Sequence, residues 1–169
     1  MRGFKALLKK EVMSLKSGCI VGGLKDIYFG RHGRLLYIVV KTGSFLNADR
    51  IYGISNVNSF TKDSIEIKDE MRIEAKPSQE FLSAADALGL IVKSEDRIWG
   101  MSDDIYFDFR ERRVTGIGIS KGFLMDIYSG MQIIPFEGTD IGKNIILCPS
   151  QRSLKVYNGG IKNIIKREE

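Results

Sequence analysis

The stretch Asp26-Ile27-Tyr28-Phe29 returns 78 residues later as Asp104-Ile105-Tyr106-Phe107. A glycine stands at the same distance upstream of each, Gly22 and Gly100. Further upstream, Ser17-Gly18-Cys19-Ile20 and Glu95-Asp96-Arg97-Ile98 each read as a polar turn entering a strand. Downstream, the run from Gly33 to Gly43 aligns with Arg112 to Gly122 once the second turn is allowed one extra residue. Ile54 then aligns with Ile134, and Ser64-Ile65-Glu66-Ile67 with Asn144-Ile145-Ile146-Leu147, so the offset drifts only from 78 to 80. One short match is coincidence; a colinear series at a fixed spacing is the mark of an internal repeat.

Each copy has the pattern of short strands. Ile20 to Phe29 and Ile98 to Phe107 mix apolar and polar residues around an internal glycine, as a bent or bulged strand does. Gly30-Arg31-His32-Gly33 and Asp108 to Arg112 sit between apolar runs as hairpin turns. Leu35 to Val40 is a continuous β-branched and aromatic run, fit for burial on both faces. Its counterpart carries Gly116 and Gly118, which the sequence alone would pair with a bulky neighbour such as Trp99 or Phe109. Turn signals at roughly ten-residue spacing predict a small barrel or sandwich, and closing the sheet removes exposed edges. The expected fold is therefore all-β, two tandem small six-stranded barrels with a short connecting helix. The first domain is expected over 1–75, a linker and helix over 76–89, the second domain over 90–151 and a tail over 152–169.

The connecting helix is predicted between Ser78, a capping residue, and Gly89, a terminating one, with Phe81, Leu82, Ala85 and Leu88 on the face that docks against a barrel. Ile161 to Arg167 has the pattern of a short terminal helix, with a role at a membrane surface as the functional reading.

Composition is that of an ordinary globular chain, 43% hydrophobic and 28% charged. No apolar run reaches eighteen residues, so no integral membrane segment is expected, and Met1 to Lys10 lacks the apolar core of a secretory leader. Cys19 and Cys148 are too few and too distant for a disulfide framework; burial is expected for both, and a cytoplasmic location follows. Residues 1–77 hold 14 basic against 8 acidic side chains, a net of +6, whereas 78–150 carry −4 and 151–169 carry +3. The basic first half is the one suited to nucleic acid or acidic surfaces.

Strand, glycine, Asp-Ile-Tyr-Phe motif, turn and apolar run, in that order, resemble the PRC-barrel domain family. That family includes the barrel of the photosynthetic reaction centre H subunit and of a ribosome maturation factor. The first copy matches through Val12, Gly22, Asp26 to Phe29, Arg34 to Val40 and Ile54. The second matches through Gly100, Asp104 to Phe107, Arg113 to Ile119 and Ile134-Pro135-Phe136. The resemblance spans about residues 5–68 and 86–149 and implies a six-stranded barrel used for protein contacts, with no common catalytic centre. Neither named relative's role carries over, because this chain lacks the membrane helix of one and the dissimilar N-terminal barrel of the other.

Catalytic, cofactor and metal sites are not predicted. His32 is the only histidine and sits in a turn. One histidine and two distant cysteines do not assemble a typical zinc site, and neither a nucleophile elbow nor a phosphate loop is present. Asp26, Asp103, Asp104 and Asp108 are read as structural, through backbone hydrogen bonds or a salt bridge; an enzyme would require Asp104 and Asp108 to converge. The function predicted is a protein-binding adapter, with a protein partner or self-association as a homodimer. The alternative is an RNA-associated factor whose basic first barrel offers Arg31, Arg34, Arg50 and Tyr52, with Tyr28 and Tyr37 nearby; base stacking would need those rings exposed.

Overall fold

The computed structural model describes residues 1–43, 49–69, 71, 73, 81–122, 126, 130–149 and 155–157. In chain order its strands are β1 (Arg2–Gly3), β2 (Glu11–Ser14), β3 (Ile20–Phe29), β4 (Leu35–Lys41), β5 (Arg50–Gly53), β6 (Val57–Phe60), β7 (Ser64–Ile67) and β8 (Leu82–Ser83). There follow β9 (Ile91–Lys93), β10 (Ile98–Asp108), β11 (Arg113–Ser120), β12 (Met131–Pro135), β13 (Asp140–Ile141), β14 (Ile145–Leu147) and β15 (Lys155–Tyr157). The fold is all-β and falls into two sheets. One runs β5-β4-β3-β2-β7-β6; the other runs β13-β14-β9-β10-β11-β12-β15. The first order holds six strands and the second seven, and one further short strand pairs onto each sheet. Pairing is antiparallel except where β2 meets β7 and β9 meets β14.

The sheets repeat each other down to their irregularities. The β3–β4 ladder slips between Leu24 and Asp26 and again between Tyr28 and Phe29; the β10–β11 ladder slips between Ser102 and Asp104 and between Tyr106 and Phe107. Such bulges bend a strand and increase its twist, which lets a small sheet wrap its own core. Gly22 and Gly100 sit at φ 150° and 145°, and a Cβ on either would overlap the carbonyl oxygen of Lys41 or Ser120 on the neighbouring strand.

Two short strands lie apart from their own repeat. β1 pairs with β10 of the second sheet, and β8 pairs with β3 of the first. The chain thus exchanges arms between its halves, and one hydrophobic cluster runs through both: Phe4, Phe29, Phe107 and Phe136 belong to it together with Ile65 and Ile146. Phe29 and Phe107, equivalent residues of the two motifs, meet edge-on with ring centroids 6.5 Å apart.

The predicted helix between Ser78 and Gly89 is not formed over its described part. Ala84 N–H donates to the Ile27 carbonyl and Ala85 N–H to the Asp26 carboxylate, so the donors that would start a helix are taken by the first sheet. Ser83 to Gly89 makes a single turn, and the side chains it buries are Ala84 and Ala87; Ala85 is exposed. Ser78 itself, and the predicted terminal helix from Ile161 to Arg167, lie outside the described residues.

Two alignments slip as well. Ile38 pairs with Tyr52 where Ile117 pairs with Ile134, so Tyr52, not Ile54, is the counterpart of Ile134. Val12 pairs with Ile65 and Val92 with Ile146, which moves Ile65 from Ile145 to Ile146. A slip in an apolar run costs a sequence alignment nothing, but in a strand the one-residue slip at Ile65 exchanges the two faces, whereas the two-residue slip at Tyr52 keeps the face and changes the partner. The space at Gly116 is claimed by Ile133 and that at Gly118 by Tyr106, in place of Trp99 or Phe109. Of the two cysteines, Cys148 is buried and Cys19 is exposed in a turn.

Gly22→Ala and Gly100→Ala should each destabilise the fold by about 2 kcal/mol or more, through strain and the clash with a neighbouring carbonyl. Urea unfolding of the two single variants measures this, and equal losses are expected from the equal geometry.

Candidate functional site

The two halves meet across a pseudo-two-fold seam built by β3, β10 and the turns that follow them. Asp26 and Asp104 hold the exchanged arms. The Asp26 carboxylate accepts from the N–H of Ile27 at 2.7 Å and of Ala85 at 3.1 Å; that of Asp104 accepts from Ile105 at 2.8 Å and Lys5 at 3.0 Å. The second oxygen of Asp26 takes the Ser83 hydroxyl at 2.5 Å. At the position matching Ser83 the other arm has Gly3, whose missing side chain leaves room for the Asp104 carboxylate. Burial pushes the pKa of both aspartates above the ordinary value, against the pull of these hydrogen bonds. They are structural latches. Asp103 pairs with Lys5, and Asp108 caps its own turn by accepting from the backbone N–H groups of Glu111 and Arg110, which holds its pKa low. Asp104 and Asp108 therefore serve different backbone groups.

On the seam itself, Leu35 N–H donates to Arg112 at 2.9 Å and Val114 N–H to Gly33 at 2.7 Å. These bonds flank an antiparallel bridge between Arg34 and Arg113. In that arrangement the two residues are a non-hydrogen-bonded pair, the kind whose side chains leave the backbone closest together and on one face. Arg31 and His32 in one turn, and Arg110 and Arg112 in the other, are likewise exposed. Among the described residues the only salt bridges are Lys5–Asp103 and Lys25–Asp49, so these arginines have no carboxylate partner there.

Of the four contact residues expected from sequence, Arg31 and Arg34 come together on this seam. Arg50 stands elsewhere, half-buried on β5 opposite Val40. Tyr52 is 0% exposed and forms no stacking surface. It fills the inward position that Ile134 fills in the second barrel, which corrects the expectation of an accessible ring. Tyr37 is also buried, wedged between Tyr28 and Phe81, and its hydroxyl is pushed up to about 12 by burial and then by Tyr28. Arg110, Arg112 and Arg113 were missed in sequence because they lie in the half whose net charge is negative; the doubled Arg112-Arg113 was the available signal.

A second feature also escapes a sequence reading. On the outer face of β10, β9 and β14, Met101 stands beside Ile91 and Ile91 beside Ile145; in the next row Ile98 and Leu147 flank Lys93. Ile98 is 71% exposed, Met101 52%, Ile91 45% and Leu147 43%. The first barrel has Gly23, Glu11 and Ser64 in place of the Met101-Ile91-Ile145 row, and Glu66 in place of Leu147, with Ile20 retained. Glu11, Gly23, Ser64 and Glu66 of the first barrel thus stand where the second has Ile91, Met101, Ile145 and Leu147, while Met13 stands where the second has Lys93.

No helix among the described residues is long and apolar enough to cross a membrane. Compared with known proteins, residues 79–155 match the family model of the PRC-barrel domain, a stretch that includes the exchanged arm β8. No curated protein matches the chain.

Removing the Ser83 hydroxyl by Ser83→Ala should cost about 1–3 kcal/mol, because a buried carboxylate oxygen loses its partner. The raised pKa of Asp26 means that the native state holds its proton more tightly than the unfolded chain does. Its stabilising contribution is present below the ordinary aspartate value and is lost as pH rises through the folded value. Asp26→Asn should remove that decline. The difference between wild-type and variant urea midpoints, followed upward from pH 3, isolates it from the opposite trend of Asp108.

Proposed function

We propose, from the match of residues 79–155 to the PRC-barrel family model, that the chain works as a non-enzymatic, protein-binding adapter whose second barrel offers the docking face. The observation that carries this reading is the apolar outer face of β9, β10 and β14. Exposed apolar side chains scattered singly are normal, but neighbours across three strands mark an interaction surface. The first barrel supplies an internal control, since the same fold there keeps Glu11, Ser64 and Glu66 at the matching sites. Packing of the barrel therefore does not demand the isoleucines and methionine outside.

The partner is a protein with a complementary apolar surface, or a second copy of this chain meeting it face to face. A reducing, cytoplasmic setting is part of this reading, since Cys19 and Cys148 are too few and too distant in sequence for a disulfide framework. The alternative of an RNA-associated factor acting from the first barrel keeps the exposed Arg31 and Arg34 but loses the ring of Tyr52.

The test is capture of partners from the native cell, with and without ribonuclease, by the wild-type chain and by Ile91→Glu/Met101→Glu, alongside sedimentation for self-association. Ribonuclease-resistant partners, or a dimer, should be weakened at least tenfold by the double variant at unchanged melting temperature. Capture that is indifferent to this face would end the reading.

A further inference from the structure

The turns 30–33 and 109–112, with the residue that follows each, close the seam with five exposed arginines, Arg31, Arg34, Arg110, Arg112 and Arg113. Nothing in the packing asks for them. The bridge that joins Arg34 to Arg113 is held by backbone bonds on either side, and like charges set directly opposite on paired strands repel. Among the described residues the nearby acids offset them only in part: Asp108, which feels Arg110, accepts from the backbone of its own turn, and Glu111 is a single carboxylate. We propose that this seam is an anion-binding site, assembled from both barrels, and that it takes a phosphate group.

The class of ligand follows from geometry. Guanidinium groups bind oxyanions best through two parallel N–H donors each. Arg34 and Arg113 start as close neighbours on one face and are related by the pseudo-two-fold relation of the halves, so their forks can approach one anion from two sides. Two forks approaching from different sides are met by the tetrahedrally disposed oxygens of a phosphate group, whereas the two oxygens of a carboxylate lie in one plane. Arg31 and Arg110, one in each turn, extend the positive field to either side of the pair. The rings nearby offer no stacking platform: Phe109 already lies against Phe60 at a centroid distance of 3.5 Å. Recognition is thus of the phosphate and not of a base. The site lies at the opposite end of β10 from Ile98 and Met101, so it is independent of the protein-docking face.

Free phosphate compounds and the phosphodiester backbone of a nucleic acid share this chemistry, and titration of the full chain at low salt with several probes separates them. The probes are inorganic phosphate, tripolyphosphate, a short oligouridylate and an oligoglutamate of equal charge. Binding of at least one phosphate probe, more tightly than oligoglutamate and weakened by added salt, is expected. Tighter oligouridylate than tripolyphosphate identifies the nucleic-acid backbone as the source; the reverse identifies a small phosphate compound. Arg113→Glu should weaken binding at least tenfold while its melting temperature holds or rises, because a repelling pair becomes an attracting one. Arg34→Gln/Arg113→Gln repeats the loss without adding an acid, and Lys16→Glu, in the turn at the far end of β3, should leave binding unchanged. Absence of phosphate binding, equal binding of oligoglutamate, or full binding by folded Arg34→Gln/Arg113→Gln would overturn the proposal.

Discussion

Asp26 and Asp104 each hold, by hydrogen bonds from backbone N–H groups, a strand that belongs to the other half of the chain. The rest of the architecture depends on that reciprocity. With β1 laid on β10 and β8 on β3, Phe4 and Ala84 enter a core they could not reach from within their own repeat, and Phe29 and Phe107 are brought into contact. A small barrel buries too little apolar surface to be comfortably stable alone. Exchanging arms merges two marginal cores into one. It also covers part of the exposed edge-strand hydrogen-bonding groups that each repeat would otherwise present to solvent.

The same near-symmetry makes the departures from it informative. Where the repeats agree, in the bulges, the positive-φ glycines and the latching aspartates, the residues serve the fold. Where they differ at equivalent positions, the fold does not require the difference. Ile91 against Glu11, and Leu147 against Glu66, are differences of that kind. Within one chain, one barrel reports what the architecture needs and the other what has been added to it.

Much of the fold was legible in the sequence because strand patterning and turn chemistry are local. The recurrence of Asp-Ile-Tyr-Phe located β3 and β10 and with them the whole repeat. The helix expected before Gly89 failed for a non-local reason: alanines, leucine and a capping serine favour a helix in isolation, but Asp26, more than fifty residues away, claims the donors. Tyr52 was read as an accessible ring because it stands two residues from Arg50, and only its pairing with Ile38 and its place in the core show that it faces inward. Arg31 and Arg34 were recognised as exposed cations, yet their companions in the second turn were hidden by averaging charge over an acidic half. Side chains from two turns became a cluster only when the seam joined them.

The arm exchange also has a history in time. Arg2 and Gly3 are synthesised well before their strand partners Phe107 and Tyr106, which come from the ribosome more than a hundred residues later. The first barrel, for its part, waits for Leu82 and Ser83 before the edge of β3 is covered. Closing contacts of such long sequence separation is slow, and chain segments left waiting expose what they will later bury. A nascent chain here can close its first sheet once β8 has emerged, but β1 waits unpaired until β10 follows, so the joint core is finished only late in synthesis.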